Sequence, residues 1–447
     1  AALASFDKAR ALFEALAKNA PGDQKLWERL GNLQLKIGVL HNDDGRAAEA
    51  ERSFRAATRV VETMQAAGME PDITLVTGAH YRLGELARLA GDLPAALQNQ
   101  QRGLALANEW AAKHPGDAAR QVVAACQARL AGTLLRAGAL EDALESNTQA
   151  LQVYQDLTTR FPDNLGFRRM LAARYEAVAD VLGDPDDLNL WRPAEALDYY
   201  RKSQAIAADL AGRDPYDAQA QRNLATARLW VAKMLRESDP PAAATLYRQA
   251  LAVNAGVYQL APQNFQIRHE LALSHRGLGI ALSGLRQPQE ALAHLRQAVE
   301  LQQANYTQHP ARTWAHRALR RTYAVIGNIL LKQGELAGAL ENYRQADAVN
   351  QRLLEIHPND LHLRRDRADG FKNLGLYYDA LAATRLPLPE RAAALREAVA
   401  FHQRNLQTWD EWLAAKLAVP YATRKREEAR QHLSKSEAAL ARLKLNP

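Results

Sequence analysis

Four groups of residues in this 447-residue chain are of types that could do chemistry. Gly277-Leu278-Gly279 with Gly284 has the glycine content of a phosphate loop, in which backbone N–H groups approach an anion. It follows no strand-like run and lacks the Lys-Ser/Thr ending, so close helix packing is the reading it supports. His269-Glu270 with His275 has the residue types of a metalloprotease helix, but that chemistry needs its two His four residues apart. Six apart, at about 100° per residue, they point roughly 240° away from each other. No metal site is expected. His114, His309 and His357 each precede a proline, where charge at a helix C-terminus accounts for them. Cys126 is the sole cysteine; no His or Asp is placed to activate it, so it reads as a small buried thiol. No spacing suggests paired catalytic carboxylates or a Ser-His-Asp set. The expectation is a segment with no catalytic residues, no cofactor and no metal.

One polar feature recurs. With Ala179, Ala232, Gly279, Gly327 and Gly375 as reference points, the residues ten earlier are Arg169, Arg222, His269, Arg317 and Arg365. The position before each holds Arg168, Gln221, Arg268, His316 and Arg364. A stack of guanidiniums has the fork geometry to grip an acidic or phosphorylated ligand. It can equally pair with acids of neighbouring segments, and Glu176, Asp180, Asp366 and Asp369 lie nearby in sequence.

A period sets the elements that must position this column. Pro21, Pro71, Pro115, Pro162, Pro215, Pro262, Pro310 and Pro358 recur with gaps of 50, 44, 47, 53, 47, 48 and 48 residues. Each follows an apolar helical stretch. Proline has a fixed φ and no N–H, so it suits a helix start and not a helix interior. Self-similarity of this kind means stacked repeats, which offer a long surface in place of one enclosed pocket. The clearest copies run from Asn264 to Pro310 and from Thr313 to Pro358. In each, a first helix such as Phe265 to Leu285 is followed by a break, at Arg286-Gln287-Pro288 or Gln333-Gly334. A second helix follows, Glu290 to Gln308 or Leu336 to His357. Composition agrees: helix-favouring Ala, Leu, Arg, Gln and Glu dominate, and β-branched residues never alternate as in a strand. No apolar run approaches the ~20 residues of a membrane span. A single cysteine excludes an intrachain disulfide framework and fits a reducing, cytoplasmic setting.

The small residues give the hairpins their character. Leu278-Gly279, Leu282, Ala291, Leu295 and Ala298 in one copy correspond to Tyr323, Ile326-Gly327, Leu330, Gly334, Ala339, Tyr343 and Ala346 in the next. Leu83-Gly84, Gly91 and Ala96, and Leu130-Ala131, Leu134, Gly138, Ala143 and Ala150, repeat the pattern. Gly or Ala lets helices approach while larger partners fill the gaps. In these positions the chain resembles the tetratricopeptide repeat family over nearly its whole length, in a long-repeat variant. The resemblance implies an all-α, right-handed superhelical solenoid of antiparallel helix pairs, about eight and a half hairpins with one continuous core. Residues 1–20 would be the second helix of a truncated repeat. Hairpins are expected at 21–70, 71–114, 115–161, 162–214, 215–261, 262–309, 310–357 and 358–408, and the end of the last hairpin with a capping helix at 409–447. Extra residues fall near His41 to Arg46, Gly183 to Pro193 and Thr384 to Pro389.

In this family the first helices line a concave groove, whose wall is expected to stand open to a partner. The column Arg169, Arg222, His269, Arg317 and Arg365 then becomes a ladder at one groove rim. It continues the stripe of Arg174, Arg276, Ala324 and Lys372, with Arg168, Arg268 and Arg364 beside it. Trp27, Tyr81, Tyr175, Tyr323 and Phe371 fall where the family packs a large residue between hairpins, and Tyr81 is placed to face the groove instead. Lys372-Asn373 resembles part of the clamp by which some members hold a peptide's C-terminal carboxylate, although the other clamp positions do not match.

The two ends differ. From Ser5 to Ala20 one apolar stripe, Phe6, Ala9, Leu12, Phe13 and Leu16, lacks its partner helix, so residue 1 is read as a cut in a longer protein. Tyr421 to Leu443, with the basic run Arg424-Lys425-Arg426, reads as a cap. Repeats of this length resemble the C-terminal repeat regions of bacterial Ser/Thr protein kinases, which implies a kinase upstream of Ala1. No kinase motif occurs in the chain itself. The expected function is a non-catalytic protein-interaction scaffold for a protein or peptide, acidic or phosphorylated, within a bacterial signalling protein. The alternative is an anionic ligand, nucleic acid or phospholipid, on the basic rim. A net charge of +7 favours anionic partners weakly, and 6% aromatic residues provide no stacking platform for bases.

Overall fold

The computed structural model describes residues 2–308 and 313–445. Among them are eighteen helices and no strand. A lone α1 (Ala2–Asn19) leads into α2 (Gln24–Asp43) and α3 (Ala47–Ala66), α4 (Ile73–Leu89) and α5 (Leu93–Lys113), and α6 (Asp117–Ala137) and α7 (Leu140–Arg160). Then follow α8 (Leu165–Gly183) and α9 (Pro193–Arg213), α10 (Ala218–Leu235) and α11 (Pro240–Leu260), and α12 (Phe265–Gly284) and α13 (Pro288–Gln308). The series ends with α14 (Thr313–Lys332) and α15 (Leu336–Ile356), α16 (Leu361–Ala382) and α17 (Leu388–Ala414), and α18 (Val419–Leu445).

The prolines sit where the period places them, in the connectors before α2, α4, α6, α8, α10, α12 and α16. Pro310 and His309 lie outside the described residues. The sequence reading missed the capping residue that follows most of these prolines. Asp23, Asp72, Asp217, Asn264 and Asp360 each accept a backbone N–H from the first turn of the next helix. Proline ends one helix and the carboxylate or amide starts the next.

Small residues set how closely the helices pack. A Cβ added at Gly277 would lie 2.1 Å from the Tyr247 ring, and one at Gly279 would lie 2.9 Å from the Ala291 carbonyl oxygen. Gly277-Leu278-Gly279 is therefore a packing surface inside α12. Leu278, Leu282, Ala291, Leu295, Ala298, Ala339 and Tyr343 are all buried, as the repeat pattern requires. Each large apolar side chain among them contributes about 1.5–3 kcal/mol on burial.

The chain forms two compact units, Ala1–Arg174 and Tyr175–Pro447, with the boundary inside α8. This differs from the single continuous core implied by the period. In the second unit one apolar cluster does run across successive hairpins, from Ala225 to Tyr377. The stripe expected on α1 is also shifted. Leu12 and Leu16 are 60% and 40% exposed, whereas Ala17 is buried and Phe13 packs beside Leu30, Val60 and Met64. The three sets of extra residues have two outcomes: 44–46 and 383–387 are short connectors, and 184–192 is a folded loop.

Candidate functional site

In the second unit the wall expected to stand open is filled by the chain itself. The loop 184–192 carries Asp184-Pro185-Asp186-Asp187, and its aspartates meet cations from α10, α12, α14 and α16. Lys233 pairs with Asp184 at 2.7 Å. Arg236 and Arg276 take one Asp186 oxygen each, at 2.8 and 3.0 Å, and Arg365 donates to the Asp186 carbonyl at 2.8 Å. Asp187 bonds to His362 Nδ1, with Arg365 at 3.6 Å and Arg317 at 3.9 Å. Burial alone would push both carboxyls up. Arg236 and Arg276 around Asp186, and His362, Arg317 and Arg365 around Asp187, hold them well below the usual carboxylate range.

The loop is firmly built. Asn189 donates to the Asp184 and Asp187 carbonyls, Trp191 N–H returns to Asn189 Oδ1, and Leu188 is fully buried. Trp191 takes a left-handed φ of 56°, which costs a non-glycine residue energy that its packing must offset. Its ring stacks on Tyr421 of α18 with centroids 5.5 Å apart, and Arg424 covers it at 4.3 Å. Part of the basic run read as a cap face thus holds this loop.

Arg317 and Arg365 of the ladder come together here, both buried, and they share Asp366 with Arg320 and Arg321. The other members have different surroundings. Arg222 forks onto Glu270 at 2.8 and 3.0 Å, and Arg169 is on the surface of the first unit. His269 is buried, and burial followed by Arg276 lowers it to about 3, so it carries no charge. The four in the second unit are thus buried or paired and do not make one open rim. Arg268 is buried on Asn305, Gln308 and the Pro262 carbonyl, and Arg364 reaches Glu411 at 3.6 Å. Lys372 pairs with Asp369, and Asn373 is buried beside it. Arg168 is half-buried in the first unit. His275 meets His294 at 3.0 Å, and burial, then His294, lowers it to about 4. Among the described residues no three His, Cys, Asp or Glu side chains gather as a metal ion requires. Burial raises the Cys126 thiol, which keeps it protonated.

The first unit presents an open recess of about 470 Å³, and two of the expected groove residues, Tyr81 and Arg174, both line it. Tyr81, Glu85 and Arg88 come from α4, Arg129 and Arg136 from α6, and Met170 and Arg174 from the start of α8. Its floor includes Ala124, Ala125, Ala128 and Gly132, small residues on one face of α6. Arg88 is satisfied by a two-point contact with Glu85. Arg129 instead lies over the Tyr81 ring, 4.4 Å from its centroid, and pairs with no carboxylate of the described residues. The recess thus combines an aromatic face, a thioether and more guanidiniums than carboxylates. Trp27, Tyr175, Tyr323 and Phe371 differ from Tyr81 in packing against Phe13, Tyr199, Leu319 and Phe401 neighbourhoods respectively.

Sequence spacing missed Arg320, Arg321, Arg129 and the acidic loop. A signal was present for the loop: three aspartates in four residues, within the longest insertion of a basic chain.

No curated protein matches the sequence. Solved structures similar to the chain include a Rap protein complexed with Competence and Sporulation Factor. That protein is 12% identical, with 92% of this chain and 99% of that one covered at a TM-score of 0.47. Aspartyl phosphate phosphatase F from Bacillus subtilis is 12% identical over 91% and 94% of the two chains, at 0.41. A thermophilic tetratricopeptide repeat protein from Thermus thermophilus is 20% identical over 54% and 98%, at 0.30. Residues 272–311 and 319–359, which carry the α12–α13 and α14–α15 pairs, match the tetratricopeptide repeat family, the resemblance implied by their small packing residues.

Proposed function

We propose that this chain is a protein-interaction scaffold that takes an acidic peptide segment in the recess of its first unit. The observation that carries this reading is Arg129, a guanidinium without an acid partner, set over Tyr81 in a recess where arginines outnumber carboxylates. A carboxylate of a bound peptide would complete its hydrogen bonds, and an apolar neighbour would cover Tyr81 and Met170. The second unit offers an internal precedent, since arginines of α10 and α12 there hold an acidic turn of the chain itself.

Fluorescence anisotropy with a labelled Asp-rich peptide, its Asn counterpart and a single-stranded oligonucleotide tests the proposal. The Asp-rich peptide should bind best, and Arg129→Glu should weaken it by about tenfold or more, the scale of one charge-assisted contact. Equal binding of the Asn counterpart, or indifference to Arg129→Glu, would overturn it. Tighter and steeply salt-dependent oligonucleotide binding would support the nucleic-acid alternative.

Repeat style supports a wider reading. The segment would be the non-catalytic arm of a cytoplasmic bacterial signalling protein such as a Ser/Thr kinase, and would recruit its substrates or regulators. Kinase motifs in the coding sequence ahead of the first codon would bear this out, and a different domain there would contradict it.

A further inference from the structure

Beside the seated loop, the second unit keeps a cavity of about 590 Å³ between α10, α12, α14 and α16. Among the described residues, seven cationic side chains line it against three carboxylates, Asp186, Glu237 and Asp369. Two of those three are already engaged. Asp186 is held by Arg236 and Arg276, and Asp369 by Lys372 at 3.4 Å and Arg365 at 3.9 Å. Arg320 and Arg321 are left to share Asp366, at 3.4 and 3.6 Å, with Arg317 at 3.1 Å and Arg365 at 3.2 Å. One carboxylate therefore faces four guanidiniums. The shortage shows in the hydrogen bonds. Arg320 Nε and both Nε and Nη2 of Arg321 are buried without a hydrogen bond, as is Asp366 Oδ1, which lies 3.6 Å from Arg321 Nη2 without completing one. Such a state costs free energy until better-placed acceptors are supplied. Burial, and next the charge of Arg317, press Arg321 down to about 10.

The lining also constrains what would fit. A single carboxylate brings one charge to a cavity with a larger positive excess, whereas a phosphoryl group brings about two charges and three terminal oxygens. No aromatic ring of the described residues lines the cavity, so a nucleobase has nothing there to stack on. We propose that this cavity is a binding site for a phosphoryl anion, with Arg320, Arg321 and Lys372 as its cations. The group is either a free phosphate or phosphate ester, or the phosphorylated side chain of a partner peptide. This site lies in the second unit and needs the loop in place, so it stands or falls independently of the acidic-peptide recess in the first.

Isothermal titration of the whole chain with inorganic phosphate tests it, at constant ionic strength with chloride as the competing anion. Phosphate should bind and raise the melting temperature. Arg321→Gln and Lys372→Gln should each weaken it by about tenfold or more, while Arg248→Gln, on an exposed pair with Glu290, should not. Arg321→Gln relieves like-charge crowding, so in phosphate-free buffer it should melt no lower than the parent. A phosphoserine peptide that binds tighter than inorganic phosphate identifies a partner peptide as the source; an equal or weaker one identifies a small anion. Absence of phosphate binding by the parent, or undiminished binding by both Arg321→Gln and Lys372→Gln, would overturn the proposal.

Discussion

Asp366 is fully buried, and the guanidiniums of Arg317, Arg320, Arg321 and Arg365 all lie within ion-pair distance of it. Burial alone would raise its carboxyl, but Arg317 and the three arginines after it together hold it well below the usual range. The unfolded value is about 4, so this stabilisation is present at neutral pH and is lost as pH falls below that value. Neighbouring Asp369 behaves alike: burial opposes Lys372 and Arg365, and it settles at about 2. Asp366→Asn should cost about 3–5 kcal/mol at pH 7, because it leaves buried guanidiniums without a counter-charge. Denaturant unfolding measures this, and the loss of stability between pH 4 and pH 2 should be shallower in the variant. A cost within 1 kcal/mol would show that the cluster is wet and screened. The same cluster limits what the sequence could say. Arg317 and Arg365 were legible as a repeated cationic column, and their pairing with Asp366 was open to view as one alternative. Their burial was not, so reversing both charges would break the fold before it tested any ligand.

At the scale of elements, helix pairs and their boundaries were legible because proline spacing and small-residue spacing are local signals. The loop 184–192 was legible only as extra length. Its partners lie far along the chain, His362 by 175 positions and Arg365 by 179, and no local pattern encodes such pairings. The loop ties α10, α12, α14 and α16 together through aspartates, in addition to the apolar side chains that join the same hairpins. Asp186→Asn with Asp187→Asn should therefore speed hydrogen exchange in those four helices and leave α2 to α7 as in the parent. Unchanged exchange in α14 and α16 would mean that apolar packing alone holds them. The site in the first unit was half legible. Tyr81 and Arg174 were singled out in sequence; Arg129, one helix away from each, has no counterpart in the repeated column.

For the molecule as a whole, the repeat period gave the right architecture, an all-helical repeat solenoid. Nearest-neighbour packing is all that a period specifies. The chain forms two compact units: the first has a recess lined by Tyr81 and Arg129, and the second seats its own loop 184–192 and keeps a cavity beside it. The proposed acidic-peptide site lies in the first unit and the proposed phosphoryl site in the second. The decisive measurement is hydrogen–deuterium exchange of the whole chain with and without the Asp-rich peptide. New protection should appear in α4 from Tyr81 to Arg88 and in α6 from Ala124 to Arg136, and should vanish in Arg129→Glu. Protection confined to the helices around the loop 184–192, or none at all, would contradict the account.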